Sequence, residues 1–141
     1  MKRFFDESEI GRQVVVPLRQ RAVAYFEFEG DEGKYELIKI GKRAYLRPGK
    51  SKKAEVRFRV GKEAVGYLFD TPLESVKDYV HRLCDCLEEK DPAKKVEMKM
   101  LTNFFDFWFK GYFGLLKMGG SRAIRTLAKI GIKVPRGFVN R

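Results

Sequence analysis

The sequence predicts an α+β domain, because strand-like segments come first, helical segments follow, and one further strand precedes the last helices. Strict alternation of apolar and polar residues marks the segment 54–60 as a strand with one buried face. Helical spacing of apolar residues marks the segment 73–87. With 141 residues, 44% of them hydrophobic, the chain supports one domain with one sizeable core.

Four strands are predicted in the first half of the chain: 22–29, 34–40, 43–46 and 54–60. Gly30-Asp31-Glu32-Gly33 and Gly41-Lys42 supply the turns between the first three. In the fourth strand, Ala54, Val56, Phe58 and Val60 are expected to face a core, and Glu55, Arg57 and Arg59 to face water. Before the first strand, residues 6–12 suggest a helical turn and residues 14–16 form a β-branched run.

The second half is predicted to be mainly helical, with one strand at 96–100. A short helix covers 63–69, and Thr71 is expected to cap a second helix that starts at Pro72. After Asn103, one helix is predicted to run to about Lys117. Ser121 is then expected to cap a last helix that ends near residue 130.

Charge is unevenly distributed along the chain. The net charge is +11, and residues 102–141 carry +7 of it, since they contain eight basic residues and a single acid, Asp106. A basic protein of this kind favours nucleic acid, anionic lipid headgroups or acidic partner proteins. The net charge by itself does not choose among these three.

The sequence offers no convincing catalytic or metal site. His81 is its one histidine, and the nucleophile-elbow, phosphate-loop and H-E-x-x-H motifs are absent. His81, Cys84 and Asp85 provide too few well-spaced ligands for zinc. Cys84 and Cys86 are too close to join in a disulfide, which indicates a reducing compartment. We therefore expect a cytoplasmic, noncatalytic protein without a cofactor, lacking a signal peptide or a transmembrane segment.

One helix is unusually rich in aromatic residues. Within thirteen positions the sequence has Phe104, Phe105, Phe107, Trp108, Phe109, Tyr112, Phe113, Leu115 and Leu116. Trp108 lies four residues from both Phe104 and Tyr112, so these three are expected to share a face. A helix that is apolar around most of its circumference lies either in the centre of a core or against an apolar ligand or a bilayer interface.

The last predicted helix is basic and amphipathic. Arg122, Arg125 and Lys129 share one face, and with Lys110 and Lys117 they form the predicted membrane-binding set. A solvated helix face is the alternative interpretation. Nucleic-acid binding is disfavoured, because no recognisable motif accompanies the tyrosines of the strands.

The order of these elements resembles the sterol-carrier-protein type (SCP2-like) of lipid-binding domain. The resemblance runs from about Val23 to about Leu116 and is carried by VAYFEFEGDEGKYELIKIGKRAYL, AEVRFRVGKEAVGYLF and KVEMKML, followed by the hydrophobic helix. It implies a five-stranded, mostly antiparallel sheet with helices over one face and a lipid tunnel between them. Residues 1–141 would form one such domain, with its core at about 20–118 and a basic helical extension at 119–141.

The resemblance also implies which residues contact the ligand. The tunnel floor would be formed by Phe26, Phe28, Val56, Phe58, Met98 and Met100, and the cover by Phe104, Phe105, Trp108, Tyr112 and Leu116. The implied ligand is a fatty acyl chain or a sterol- or isoprenoid-like lipid, carried without chemical change. The basic C-terminal helix, and not the resemblance, adds an anionic membrane surface as an expected partner. A protein-interaction module with a filled core and a basic nucleic-acid-binding domain are the alternatives.

Overall fold

The computed structural model describes residues 4–5, 8–49 and 53–132, and describes only the backbone of Phe104, Trp108, Phe113 and Leu116. The strands are β1 Val23–Phe28, β2 Lys34–Ile40, β3 Arg43–Pro48, β4 Val56–Val60 and β5 Val96–Met100. The helices are α1 Glu9–Val15, α2 Lys62–Val65, α3 Val76–Glu88, α4 Phe104–Phe109, α5 Tyr112–Lys117 and α6 Ser121–Lys129. A π-helical turn, Gly66–Asp70, continues α2.

The five strands form one sheet in the order β3-β2-β1-β4-β5. All neighbouring strands are antiparallel except β1 and β4, which are parallel and place Phe26 beside Phe58. The predicted α+β class and the mostly antiparallel five-stranded sheet are confirmed. The β1–β4 pair joins residues more than thirty positions apart, and it brings the two halves of the sheet together.

The N-terminal segment folds as a helix that packs on the core. Ser8 caps α1, because its hydroxyl accepts a hydrogen bond from the Gly11 amide at 3.3 Å. Val14 and Val15 are almost fully buried, so the β-branched run at 14–16 belongs to the end of a helix and not to a strand. Tertiary burial here outweighs the local preference of valine for strands.

Two of the predicted helix starts are wrong. Ser75 caps α3 by accepting a hydrogen bond from the Asp78 amide at 3.1 Å, whereas Thr71 donates its hydroxyl to the Gly66 carbonyl of the preceding π-helical turn. The helix therefore begins at Val76, four residues after Pro72. In α6, Gly120 occupies the cap position with φ +72°, and Ser121 is already helical.

The single aromatic helix predicted up to Lys117 is also wrong, because it is divided at Gly111. That residue has φ +93°, a conformation that glycine adopts without strain and other residues do not. A Cβ atom built on Gly111 would lie 1.9 Å from the carbonyl oxygen of Pro17. The close approach of residues 17–19 to this junction, where the Arg19 amide donates to the Lys110 carbonyl at 2.9 Å, requires the break.

The start of β4 departs from the predicted alternation. Glu55, expected to face water, is buried, and both of its carboxylate oxygens lie 3.2 Å from the Val23 amide that donates to them. Burial raises the pKa of Glu55. Ala54 packs in a small cluster with Val23 and Tyr25, apart from the main core. Both residues precede the first residue of β4, so the period of the strand does not govern them.

The main core lies between the sheet and the helices. It includes Val56 and Val60 from β4, Val80 and Leu87 from α3, and Leu127 from α6, all almost fully buried. Within the described residues, no helix has the length and apolar character needed to cross a membrane.

Candidate functional site

An apolar cavity of about 60 Å³ lies inside the main core, between the sheet and the helices. Strands β1, β2, β4 and β5 contribute one wall, and α1, the π-helical turn, α3 and α5 contribute the other. The lining residues are Phe5, Val14, Val15, Leu18, Ala24, Phe26, Leu37, Phe58, Val60, Leu68, Phe69, Tyr79, Leu83, Val96, Tyr112 and Leu115. Apart from the hydroxyl groups of the two tyrosines, these side chains are hydrocarbon. Such a surface excludes water and accepts apolar groups.

Two of the six predicted floor residues line this cavity. Phe26 and Phe58, neighbours in the parallel β1–β4 pair, stack with ring centroids 5.2 Å apart. Phe28 stacks on Phe26 at 6.0 Å, further along β1. Val56 is fully buried in the same core, and the partly buried Met98 and Met100 of β5 pack against it. These last four side chains support the cavity wall without forming its surface.

Among the described side chains of the aromatic segment, those that cover the cavity belong to α5. Tyr112 and Leu115 line the cavity, and Phe107 is buried behind Tyr112 with the two rings stacked 5.1 Å apart. Phe105 is 57% exposed and does not line the cavity. The side chains of the other predicted cover residues, Phe104, Trp108 and Leu116, lie outside what the structure describes.

Sequence reasoning missed the contribution of the N-terminal segment. Phe5 and Leu18 line the cavity, while Phe4 stacks on Tyr79 of α3 with ring centroids 5.0 Å apart. No clear period marks residues 1–20, so nothing in that segment indicated a place in the core. The helical spacing of α3, by contrast, did indicate that Leu83 faces inward.

Tyr112 carries a polar group at the edge of this apolar space. Its side chain is buried, and its hydroxyl has no hydrogen-bond partner within the described part of the chain. Burial, with a smaller effect from the Glu55 carboxylate, raises the pKa of Tyr112. A buried hydroxyl without a partner costs free energy that a polar group on a ligand would recover.

The basic face of α6 is divided between ion pairs and solvent. Arg122 contacts Asp85 at 2.6 Å and Glu88 at 3.2 Å, and Lys129 contacts Glu88 at 2.8 Å. The hydrogen bonds from Lys129, Thr126 and Arg122 lower the pKa of Glu88 to about 2. Arg122 and Lys129 therefore hold α6 on α3. Of the other predicted membrane-binding residues, Lys117 and Arg125 are exposed and Lys110 is half-buried.

His81, Cys84 and Cys86 contact the protein's own backbone or are buried in its core. His81 Nε2 lies 2.8 Å from the Gly119 carbonyl oxygen. Cys84 and Cys86 are buried and free, and burial raises the pKa of both thiols, that of Cys86 to about 11. Among the residues described, no cluster of three or more histidine, cysteine or acidic side chains could hold a metal ion.

Comparison with solved structures finds a similar fold in a protein described as "UbiJ-SCP2 Ubiquinone synthesis protein". The two chains share 11% sequence identity, the match covers 79% of this chain and 78% of that chain, and the TM-score is 0.48. No family model matches the sequence. No curated protein matches it either.

Proposed function

We propose that this domain binds a hydrophobic ligand, a fatty acyl chain or a sterol- or isoprenoid-like lipid, between its sheet and its helices. The observation that carries the proposal is the apolar cavity between Phe26 and Phe58 on the sheet and Tyr112 and Leu115 on α5. The ligand is bound and released without chemical change. Burial of its apolar surface contributes about 25 cal/mol per Å² to affinity.

The cavity is smaller than a whole lipid, so a long ligand enters only if the cavity enlarges. At about 60 Å³, it accommodates only part of a lipid. An empty cavity of this size lowers stability by on the order of 1 kcal/mol, which a bound hydrocarbon recovers. A longer ligand requires the cover to move outward. The short helices α4 and α5, joined at Gly111, are the elements that would move.

The chemistry of the lining supports a noncatalytic role. Tyr79 and Tyr112 carry the only polar side-chain atoms among the described lining residues. Burial raises the pKa of both hydroxyl groups, so both remain protonated at neutral pH. Neither is a general base, and no described nucleophile faces the cavity.

Filling the cavity is the direct test. Ala24 is the second residue of β1, the central strand of the sheet, and it lines the cavity. Replacing Ala24 with leucine adds carbon atoms inside the cavity, so we expect binding of palmitic acid and of cholesterol to fall at least tenfold while the melting temperature stays within a few degrees. Isothermal titration and native mass spectrometry measure the binding, and Ala24→Val is a milder version of the same change.

Ala128→Leu is the matched control, because it adds the same atoms at an exposed position of α6. It is expected to leave binding unchanged. The proposal would be contradicted if the unaltered protein bound neither palmitic acid nor cholesterol. Equal lipid affinity of the Ala24→Leu and Ala128→Leu variants would contradict it as well.

The proposal includes docking of the domain to anionic membranes from the cytoplasm. Lys117 and Arg125 support it, since both are exposed and neither makes an ion pair within the described residues. Each cation near an anionic surface adds about 1 kcal/mol. The salt-bridged Arg122 and Lys129 contribute less, because Asp85 and Glu88 already neutralise them.

Vesicle sedimentation tests the docking. The double change Lys117→Gln and Arg125→Gln is expected to weaken binding to vesicles that contain phosphatidylserine by about tenfold or more. The double change Lys34→Gln and Lys62→Gln removes the same charge from other exposed positions and serves as the control. Equal binding to neutral and anionic vesicles, or equal losses in the two double variants, would refute the docking.

A further inference from the structure

A surface cleft opens beside the cavity, where three segments of the chain meet. It is lined by Val16, Leu18, Arg19, Gln20, Lys39, Gly41, Lys42, Phe109 and Lys110. The Gln20 side chain donates to the Gly41 carbonyl at 2.7 Å and accepts from the Gly41 amide at 2.8 Å. The Arg19 amide donates to the Lys110 carbonyl at 2.9 Å. These bonds join the segment after α1 to the β2–β3 turn and to the α4–α5 junction, so the walls of the cleft are held in place.

The charge of the cleft is entirely positive. Its lining residues include Arg19, Lys39, Lys42 and Lys110 and no acidic residue. Within the described part of the chain, none of these four cations makes an ion pair. A concave site lined by one sign of charge concentrates ions of the opposite sign. The chemistry of the cleft therefore fits a carboxylate or a phosphate.

Lys39 is the most informative of the four cations. It is only 4% exposed, and its Nζ donates to the carbonyl oxygens of Val15 and Val16 at the C-terminal end of α1. Burial without a carboxylate partner lowers the pKa of Lys39. An ammonium group has three N–H donors, so one remains after these two bonds. A buried cation that lacks an opposite charge is costly, and an anion in the cleft would supply that charge.

The cleft and the cavity share a wall. Leu18 lines both, so its side chain is the boundary between the basic surface site and the apolar interior. At the mouth of the cleft, Val16 is 64% exposed and Phe109 is 56% exposed, and the Arg19 guanidinium lies 5.5 Å from the centre of the Phe109 ring. Cationic and apolar side chains thus line the same cleft as Leu18.

We propose that the cleft binds the anionic headgroup of a lipid whose hydrocarbon chain passes Leu18 into the cavity. The inference rests on the proposed ligand-binding function and adds the class of ligand: a single-chain amphiphile with a carboxylate or phosphate at one end. Arg19, Lys42 and Lys110 contact the headgroup from the rim, and Lys39 provides the charge at the base. Specificity for the head comes from these cations, while the cavity accepts the tail with little discrimination.

The experiment compares palmitic acid with hexadecanol, which has a chain of the same length and a neutral head. We expect the unaltered protein to bind palmitate about tenfold more tightly or better. The double change Arg19→Gln and Lys42→Gln is expected to reduce palmitate affinity about tenfold and leave hexadecanol affinity unchanged. Raising the salt concentration weakens binding of the acid and not of the alcohol.

Lys34→Gln with Lys62→Gln is the matched control. Both control lysines lie at the end of the sheet opposite the cleft. Lys34 begins β2, whereas Lys42 of the cleft follows the end of that strand, about 20 Å away. Lys62 follows the end of β4, which lies at the same end of the sheet as Lys34. This variant is expected to bind both amphiphiles like the unaltered protein.

The possible contrary results distinguish failure of the headgroup site from failure of the apolar ligand site. Equal affinity for the acid and the alcohol, or equal effects of the two double variants, would overturn the headgroup site and leave the apolar ligand site intact. Binding of millimolar inorganic phosphate that is lost in the Arg19→Gln and Lys42→Gln variant but leaves palmitate affinity unchanged would show a site for free anions and overturn the lipid assignment. If neither amphiphile binds, the headgroup site is rejected, and the proposed function is rejected with it when cholesterol does not bind either.

Discussion

Replacing Phe107 with alanine is expected to lower the free energy of unfolding by about 3–5 kcal/mol. Phe107 is 1% exposed and stacks on Tyr112, so truncation removes a full aromatic ring from the core and leaves the cover of the cavity without support. Denaturant unfolding followed by circular dichroism measures the loss. Because Tyr112 lines the cavity, lipid affinity is expected to change as well.

Phe105→Ala is the control for this prediction, two residues away on the same helix. Phe105 is 57% exposed, and its removal is expected to lower the free energy of unfolding by less than about 1 kcal/mol. Similar losses for the two variants, or a larger loss for Phe105, would show that α4 presents a different face to the core.

Gly111→Ala is the second change with a large expected effect. A side chain at φ +93° is strained, and its Cβ would lie 1.9 Å from the Pro17 carbonyl oxygen, so the α4–α5 junction must separate from the segment after α1. We expect a loss of about 3 kcal/mol or more in the free energy of unfolding. The same displacement disturbs the Arg19–Lys110 backbone bond, and palmitate binding is expected to weaken in parallel.

Gly30→Ala separates conformational strain from steric overlap. Gly30 has φ +83°, and a Cβ built on it meets nothing within 4 Å. The free energy of unfolding of this variant is expected to fall by only about 1–2 kcal/mol, which is the cost of the left-handed conformation. If Gly111→Ala lowered the free energy of unfolding no more than Gly30→Ala does, the close approach of Gly111 to Pro17 would be contradicted.

The sheet could be predicted well because its signals are local. The alternation and the flanking turns place β2 at Lys34–Ile40 and β5 at Val96–Met100, with the bounds that the structure has. At the start of β4 the same reasoning misplaced Glu55. Its carboxylate is held by the Val23 amide of another strand, a contact that no local pattern contains.

The aromatic helix shows where periodicity stops being informative. When nearly every position is apolar, the pattern does not distinguish Phe105 from Phe107, and only packing against α5 buries the second and exposes the first. The break at Gly111 likewise depends on Pro17, almost one hundred residues earlier in the chain. The helix sequence contains the glycine, but the contact that requires the break there lies outside the helix.

By itself, the sequence determined the α+β class, the five strands and the basic, aromatic character of the C-terminal part, since each depends on residue type and on spacing over a few positions. Only the tertiary structure decided that Arg122 and Lys129 pair with acids of α3, that a cavity remains between sheet and helices, and that Arg19, Lys39, Lys42 and Lys110 surround one cleft. The physical reason is distance along the chain. A cavity or a charged cleft is made by side chains from segments that strand pairing and helix packing bring together, and the positions of those segments in the sequence do not specify how closely they meet.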